Sequence, residues 1–274
     1  MRPPPCDVWW ARTDWLRPQH LTVLGAAERE RLRRYRRRAD RDRCALGAVL
    51  LRAVAARALG SAPGAVAVVR SCPSCPGPHG RPVLPGTGLY VSTSHSGAFV
   101  VVAATRAGPV GVDVEEEPAG LGRDLRVGAL GPEEAAGTTD AAGFVRCWAR
   151  KEALLKAVGV GITVPLAEVD LGPPGEPPRL RRFPGARPDQ VYVTDLPAAE
   201  GYAGAVCVLA PGPVPVRHHD AGPLLRSVFP GEPSVTGGSV PPGGRVGPVS
   251  RARDGGTRTK APTTAASAMG TLMG

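Results

Sequence analysis

Eight residues, Val110 to Glu117, restrict the fold of this chain more than any others. Val110, Val112 and Val114 alternate with Gly111, Asp113 and Glu115, and Glu116 and Glu117 follow. A strand sends alternate side chains to opposite faces, so the valines pack inward while Asp113 and Glu115 share the other face. About thirty residues on, Trp148, Glu152, Leu155 and Lys156 recur at helical spacing, with Glu152 and Lys156 one turn apart on one side. Three carboxylates on two elements, with lysines beside one of them, can hold a hard divalent cation and an anionic substrate. Magnesium takes oxygen ligands and completes its shell with water and substrate phosphate. Taken alone, the same acids read more simply as a solvated strand edge and an i,i+4 ion pair. Glu116 and Glu117 read as solvated strand-end charges.

The rest of the first half supplies cations. From Glu28 to Arg43 there are nine arginines against four acids. Residues 26–38 read as a basic helix, and Cys44–Leu59 as a second helix with Leu46, Val49, Leu50, Ala53 and Val54 on its apolar side and Gly60 placed to end it. Val8–Trp10, Val66–Val69, Leu89–Ser92 and Phe99–Ala104 read as strands, the last two flanking Ser94-His95-Ser96-Gly97. That glycine and those serines let backbone approach an anion closely. A Ser-His catalytic pair is disfavoured, because adjacent strand residues diverge. The chain as a whole carries a formal net charge of +10, which suits a nucleic acid, an anionic cofactor or an acidic protein. There are no stacked aromatics, zinc-finger spacing or RNA-recognition signature to support the first. Cys72-Pro73-Ser74-Cys75 with His79 has partial zinc spacing but lacks a fourth ligand.

In the second half the strand Val110–Glu115 precedes a helix from about Ala142 to Val158 and strands at Leu166–Leu171, Val191–Thr194 and Ala203–Leu209. Strand, helix, then three strands thus occurs twice, without clear identity between the halves. From Gly231 to Gly274 there are ten glycines and five prolines in 44 residues, too little apolar area to offset chain entropy. The longest apolar run, Ala98 to Ala104, is far short of the roughly 20 residues of a membrane span. Met1-Arg2-Pro3-Pro4-Pro5 has no apolar core segment. The expectation is a cytoplasmic chain with six reduced cysteines.

Gly-Val-Asp-Val-Glu followed by Trp-x-x-Lys-Glu-Ala-x-x-Lys resembles the 4′-phosphopantetheinyl transferase family. The likeness is greatest to its longer, two-lobed branch, typified by activators of peptide and polyketide synthetases. Ser94-His95-Ser96, Gly80-Arg81-Pro82, Leu130-Gly131-Pro132-Glu133-Glu134, Gly159 to Leu166 and Gly201 to Cys207 also resemble family elements, so the likeness runs from about residue 7 to 210.

The resemblance implies an α+β fold of two similar lobes, pseudo-duplicated, with the active site between them. The lobes would be 1–107 and 108–212, and 213–274 a flexible, disordered tail. It implies magnesium held by Asp113, Glu115 and Glu152, and coenzyme A bound by Arg29, Arg31, Arg43, Arg81, Ser94, His95, Lys151 and Lys156. Glu134, or failing that Glu115, would be the general base, and Lys156 would steady the leaving phosphate. Glu134 after Gly131 and Pro132 also reads as a helix N-terminus. The implied reaction moves the phosphopantetheine arm of coenzyme A to a serine of an apo carrier protein or domain of a peptide, polyketide or fatty-acid synthase, releasing adenosine 3′,5′-bisphosphate. The enzyme would be a monomer, since one chain supplies both lobes, with no nucleic-acid or membrane partner. The rival readings are a magnesium-dependent phosphohydrolase and a basic nucleic-acid-binding module.

Overall fold

A computed structural model describes residues 3–70, 80–120, 128–161, 164–183 and 188–230. Cys72, Cys75 and His79, and the glycine-rich segment 231–274, lie outside the described residues. Strand β1 (Cys6–Arg12) pairs antiparallel with β5 (Phe99–Thr105), which pairs antiparallel with β4 (Tyr90–Ser96). Between β1 and β4 the chain forms a two-residue hairpin of β2 (Val69–Arg70) and β3 (Pro82–Val83). The second sheet has β6 (Val110–Glu116), β8 (Tyr202–Leu209) and β7 (Val191–Leu196), all antiparallel with β8 in the middle. In both sheets the first strand of the half pairs with its last, and the last with the one before it. The pairing of first, last and next-to-last strand is therefore the same in both halves.

Each sheet carries one long helix. After the short α1 (Ala26–Arg33), helix α2 (Arg38–Leu59) lies on β4 and β5 and stops at Gly60, whose φ of 65° favours glycine. The basic helix expected to run unbroken over 26–38 gives way between Arg33 and Arg38. Successive arginines repel there, and α1 has no buried residue to hold it. In the second half, α3 (Pro132–Gly137) leads to α4 (Ala141–Val158), which packs on β6 and β8. Asp140 caps α4 by accepting the Gly143 N–H at 2.8 Å.

The alternation in β6 behaves as its sequence predicts. Val110, Val112 and Val114 join Val206 and Val208 in the same core as Trp10, Phe99 and α2, so the second sheet packs against the first. Gly111 faces α4, where a Cβ would lie 2.0 Å from the Ala153 carbonyl oxygen. Only glycine permits that approach of helix to strand.

Two expectations change. Residues Leu166–Leu171 form a 3₁₀ turn (Leu166–Glu168) and one bridge, Asp170 to Arg182, instead of a strand. The Leu166 carbonyl accepts from Lys151 Nζ at 2.9 Å, so a side chain takes the bond a ladder would need. Residues 216–228, expected to belong to a flexible tail from residue 213, form a strand and a helix. β9 (Val216–Asp220) adds parallel to β1, and α5 (Ala221–Val228) packs on α2 and β1. Leu224 and Leu225 are buried, and Asp220 caps the helix through Gly222 N–H at 2.7 Å. These apolar residues supply enough burial to order the segment.

Candidate active site

The two sheets meet where β4 runs beside β6, and a row of serines joins them. Ser92, Ser94 and Ser96 fall on one face of β4 by the two-residue period of a strand. The Val112 N–H donates to Ser92 Oγ at 3.1 Å, Ser94 Oγ donates to Asp113 Oδ1 at 2.7 Å, and Ser96 Oγ donates to Glu115 Oε2 at 3.0 Å. Ser96 Oγ also accepts from the Glu116 N–H at 3.0 Å. Side-chain hydroxyls do here what a backbone ladder does within a sheet.

Helix α4 closes the other side. Lys156 Nζ donates to Asp113 Oδ1 at 2.6 Å and to Ser94 Oγ at 3.1 Å. Asp113, Glu115 and Glu152 are all buried, at 2, 6 and 4 % exposure. Burial foremost pushes all three carboxyls up. Glu115 reaches about 8, with Asp113 and then Glu152 adding to the rise. Glu152 reaches about 7, with Lys156 opposing and Asp113 adding. Asp113 rises despite Lys156 and Ser94. Burial alone would lower the Lys156 ammonium, but Asp113, Glu152 and Glu115 outweigh it and raise it.

The three acids are therefore near enough to repel, and they share one cation. Among the described residues no group of three or more His, Cys, Asp or Glu side chains is arranged to hold a metal ion. The donor set nonetheless fits a hard cation. Asp113 Oδ2 and Glu152 Oε1 are buried acceptors without a hydrogen-bond partner, and an orphaned buried oxygen is costly until a donor or a cation meets it.

The first lobe brings positive charge to the other side of β4. His95 points away from the serines, toward Gly47 of α2. Burial, then Lys156 and Arg43, hold its imidazole down at about 4, and its Nδ1 is buried without a partner. Arg43 pairs with Asp40 and donates to the Gly97 carbonyl at 3.2 Å. Arg31 acts on both His95 and Arg70. Arg70, absent from the sequence-based candidates, is held down at about 10 by burial and then by Arg31. A buried guanidinium whose charge a neighbouring arginine disfavours marks a place that an anion would stabilise. The expected strand ended one residue short of Arg70, and a lone arginine on a two-residue strand carries no sequence signal of its own.

The other candidates are placed differently. Arg81 reaches across from the first lobe, donating to the Ala157 carbonyl at the end of α4 at 3.1 Å. Arg29 is folded back onto the Leu24 carbonyl at 2.9 Å and the Thr22 carbonyl at 3.2 Å, away from the Arg31–Arg70 cluster.

Lys151 and Glu134 do not join the site. Lys151 is 0 % exposed, and its ammonium donates to the Ala129 and Leu166 carbonyls at 2.7 and 2.9 Å and pairs with Glu134. Its three donors are used and no part of it is exposed, so it has no side open to a phosphate; Lys156 also fills three donors, the third to the Val112 carbonyl at 3.3 Å, but its side chain is partly exposed. Glu134 accepts from the Gly131 N–H at 2.9 Å, closing the capping box of α3, and from the Leu171 N–H at 3.3 Å. It is the helix N-terminus its neighbours suggest, sealed inside the second lobe.

The serine turn and the acids also engage residues that sequence reasoning set aside. Glu116, expected as a free strand-end charge, accepts from Tyr202 Oη at 2.8 Å.

Comparison with known proteins bears on what this arrangement serves. Residues 109–207 match the 4′-phosphopantetheinyl transferase superfamily model, and residues 9–107 match the model of a 4′-phosphopantetheinyl transferase N-terminal domain. A phosphopantetheinyl transferase of Thraustochytrium sp. is 33 % identical over 178 residues, covering 56 % of this chain and 58 % of the relative. A 4′-phosphopantetheinyl transferase of Bacillus subtilis is 26 % identical over 201 residues, 70 % of this chain and 84 % of the relative. A Synechocystis sp. protein whose name places it in the same family is 30 % identical over 182 residues, 62 % of this chain and 70 % of the relative. The chain thus spans little more than half the Thraustochytrium protein and most of the other two.

Proposed function

The chain belongs to the 4′-phosphopantetheinyl transferase family, and from that premise we propose that it moves the phosphopantetheine arm of coenzyme A to a serine of an apo carrier protein. One observation carries the reading. Buried, mutually repelling carboxylates with Lys156 lie on one side of the β4–β6 seam, and a cluster of arginines around His95 lies on the other. A ligand with a metal-bound diphosphate at the first and a further phosphate at the second would satisfy both.

Asp113, Glu115 and Glu152 would hold magnesium, which when bound would neutralise pyrophosphate charge. Arg31, Arg43, Arg70 and His95 bind and orient the anionic coenzyme from the first lobe, and Arg81 meets it near the end of α4. The carrier serine oxygen forms a bond to the phosphorus nearer pantetheine. The bond from that phosphorus to the bridging oxygen breaks, and adenosine 3′,5′-bisphosphate leaves. Lys156 stabilises the leaving phosphate as charge develops there. With Glu134 occupied, the serine proton passes to Glu115. Positioning and charge stabilisation suffice, without a covalent enzyme intermediate.

The carriers are those of peptide, polyketide or fatty-acid synthases, and the enzyme acts as a cytoplasmic monomer. No helix of the described residues is long and apolar enough to cross a membrane. The test is intact mass spectrometry of several apo carrier proteins incubated with coenzyme A and magnesium. Each productive carrier gains one phosphopantetheine arm, and only with both present. Hydrolysis of coenzyme A with no carrier gaining mass overturns the reading in favour of a phosphohydrolase.

A further inference from the structure

The turn that joins β4 to β5 is gripped from both lobes through a single peptide group. Its carbonyl, on Gly97, accepts from Arg43 Nη1 of α2 at 3.2 Å. Its N–H, on Ala98, donates to Tyr202 Oη of β8 at 3.0 Å. A trans peptide is planar, with C=O and N–H on opposite sides, so the arginine and the tyrosine hold the same plate from opposite edges. Tyr202 Oη in turn donates to Glu116 Oε1 at 2.8 Å, and its ring meets Phe99 edge-on at 4.9 Å between centroids. Glu116 belongs to the same strand as Asp113 and Glu115, and its N–H donates to Ser96, the serine that contacts Glu115. The turn has no slack. Gly97 has φ 52°, and a Cβ there would lie 2.1 Å from Tyr202 Oη and 2.7 Å from the Glu116 carboxylate.

We propose that Tyr202, with Glu116 as its acceptor, is a positioning residue that fixes Arg43 for the coenzyme through the Gly97–Ala98 peptide. This inference rests on the coenzyme-binding role given to Arg43 above. Turning the peptide to release Tyr202 also turns the carbonyl away from Arg43, so the two contacts form or fail together. The second lobe thereby sets the angle of a first-lobe arginine without touching it.

The test is a double-mutant cycle on coenzyme A affinity, measured by calorimetry without carrier protein and by Michaelis constant with it. Tyr202→Phe keeps the ring on Phe99 and removes only the hydroxyl. It weakens coenzyme A binding about three- to tenfold, the size of one hydrogen bond, with kcat changed far less. In an Arg43→Ala background the same substitution has no further effect, because the group it positions is gone. Glu116→Gln, whose amide oxygen still accepts from the phenol, stays within about twofold of the parent, whereas Glu116→Ala weakens binding as Tyr202→Phe does. If the effects of Tyr202→Phe and Arg43→Ala multiply independently, or if Tyr202→Phe leaves affinity unchanged, the positioning role is wrong although the protein still binds coenzyme A. Failure of the parent chain to bind coenzyme A would instead remove the reading on which the proposal stands.

Discussion

In the first lobe, α2 lies over β4 with Gly47 at the crossing, and a Cβ there would meet side chains alone, Thr93 Cγ2 at 3.5 Å, Val100 Cγ1 at 3.8 Å and His95 Cδ2 at 4.0 Å. In the second, α4 crosses β6 at Gly111, where the nearest atoms to a Cβ are backbone, at 2.0 and 2.5 Å. The topology is shared but the spacing is not. The close crossing leaves no layer of side chains between helix and strand. Asp113, Glu115, Glu152 and Lys156 are therefore pressed together in a largely buried space, and their proton affinities rise. The looser crossing leaves Thr93 Oγ1 and His95 Nδ1 buried without partners beside a glycine, among arginines that repel one another. One duplicated plan thus yields a tight acidic half and a roomier cationic half.

The largest effect should come from the acids that the close crossing gathers. Asp113→Ala and Glu152→Ala should each lower magnesium-dependent transfer by about 10²–10³-fold. Their melting temperatures without metal should part company. Glu152 leaves a buried oxygen unpaired, so Glu152→Ala relieves repulsion and raises the value. Asp113 bonds Lys156 and Ser94, so Asp113→Ala lowers it. Thermal melts with and without magnesium decide this, and equal shifts would erase the distinction.

Next in size is Gly111→Ala. Its methyl has backbone on two sides, so the helix must lift, at a cost of about 3 kcal/mol in urea unfolding. A stable Gly111→Ala protein would mean the two crossings are alike after all.

In the cationic half, Arg31→Ala and Arg70→Ala should each raise the Michaelis constant for coenzyme A about ten- to hundredfold, from loss of a charge-assisted contact. For dephospho-coenzyme A the rise should be far smaller if the lost contact is to the 3′-phosphate. Equal effects on both would place that arginine elsewhere on the ligand.

A smaller effect concerns acid. The unfolded chain protonates His95 below its ordinary 6.5, but the folded protein, with Lys156, Arg43 and Arg31 near the ring, resists until about 4. The His95 contribution to stability is therefore untouched above pH 6.5 and declines as pH falls from 6.5 to 4, while the buried Glu115 and Glu152, with raised proton affinities, act in the opposite direction. The decline should be about 1–2 kcal/mol, allowing for water at part of the ring. His95→Asn should flatten that part of the stability curve. The smallest effect is Gly47→Ala, which fits without displacement and should gain up to about 1 kcal/mol from helix propensity.

Much of this contrast was legible in the chain. The valine alternation placed Asp113 and Glu115 on one face, and helical spacing put Glu152 and Lys156 on one side of α4. These are local regularities, and periodicity reports them. What escaped depends on partners distant in sequence. Leu166–Leu171 has the apolar content of a strand, yet its Leu166 and Ala167 carbonyls go to the Lys151 and Arg182 side chains, and its pairing is a single bridge. Lys151 and Glu134 look like site residues by type and motif, and only their mutual burial reveals that they hold the lobe together. Glu116 reads as solvated until Tyr202, 86 positions away, is brought beside it. Val216–Asp220 follows a proline-rich run and looks like the beginning of the tail.

That last strand has a consequence for how the protein comes into being. β1 is made first, but one of its two neighbours, β9, pairs Val216 with Cys6 and so leaves the ribosome some two hundred residues later. Throughout synthesis of the second lobe, a buried-type strand carrying Trp9 and Trp10 waits with an open edge, which is the kind of template that recruits other chains. A gene fragment ending between the lobes would make that wait permanent. The lobes share a pairing order, but they cannot be traded as separate parts, because the sheet of the first is completed only by β9, which follows the second.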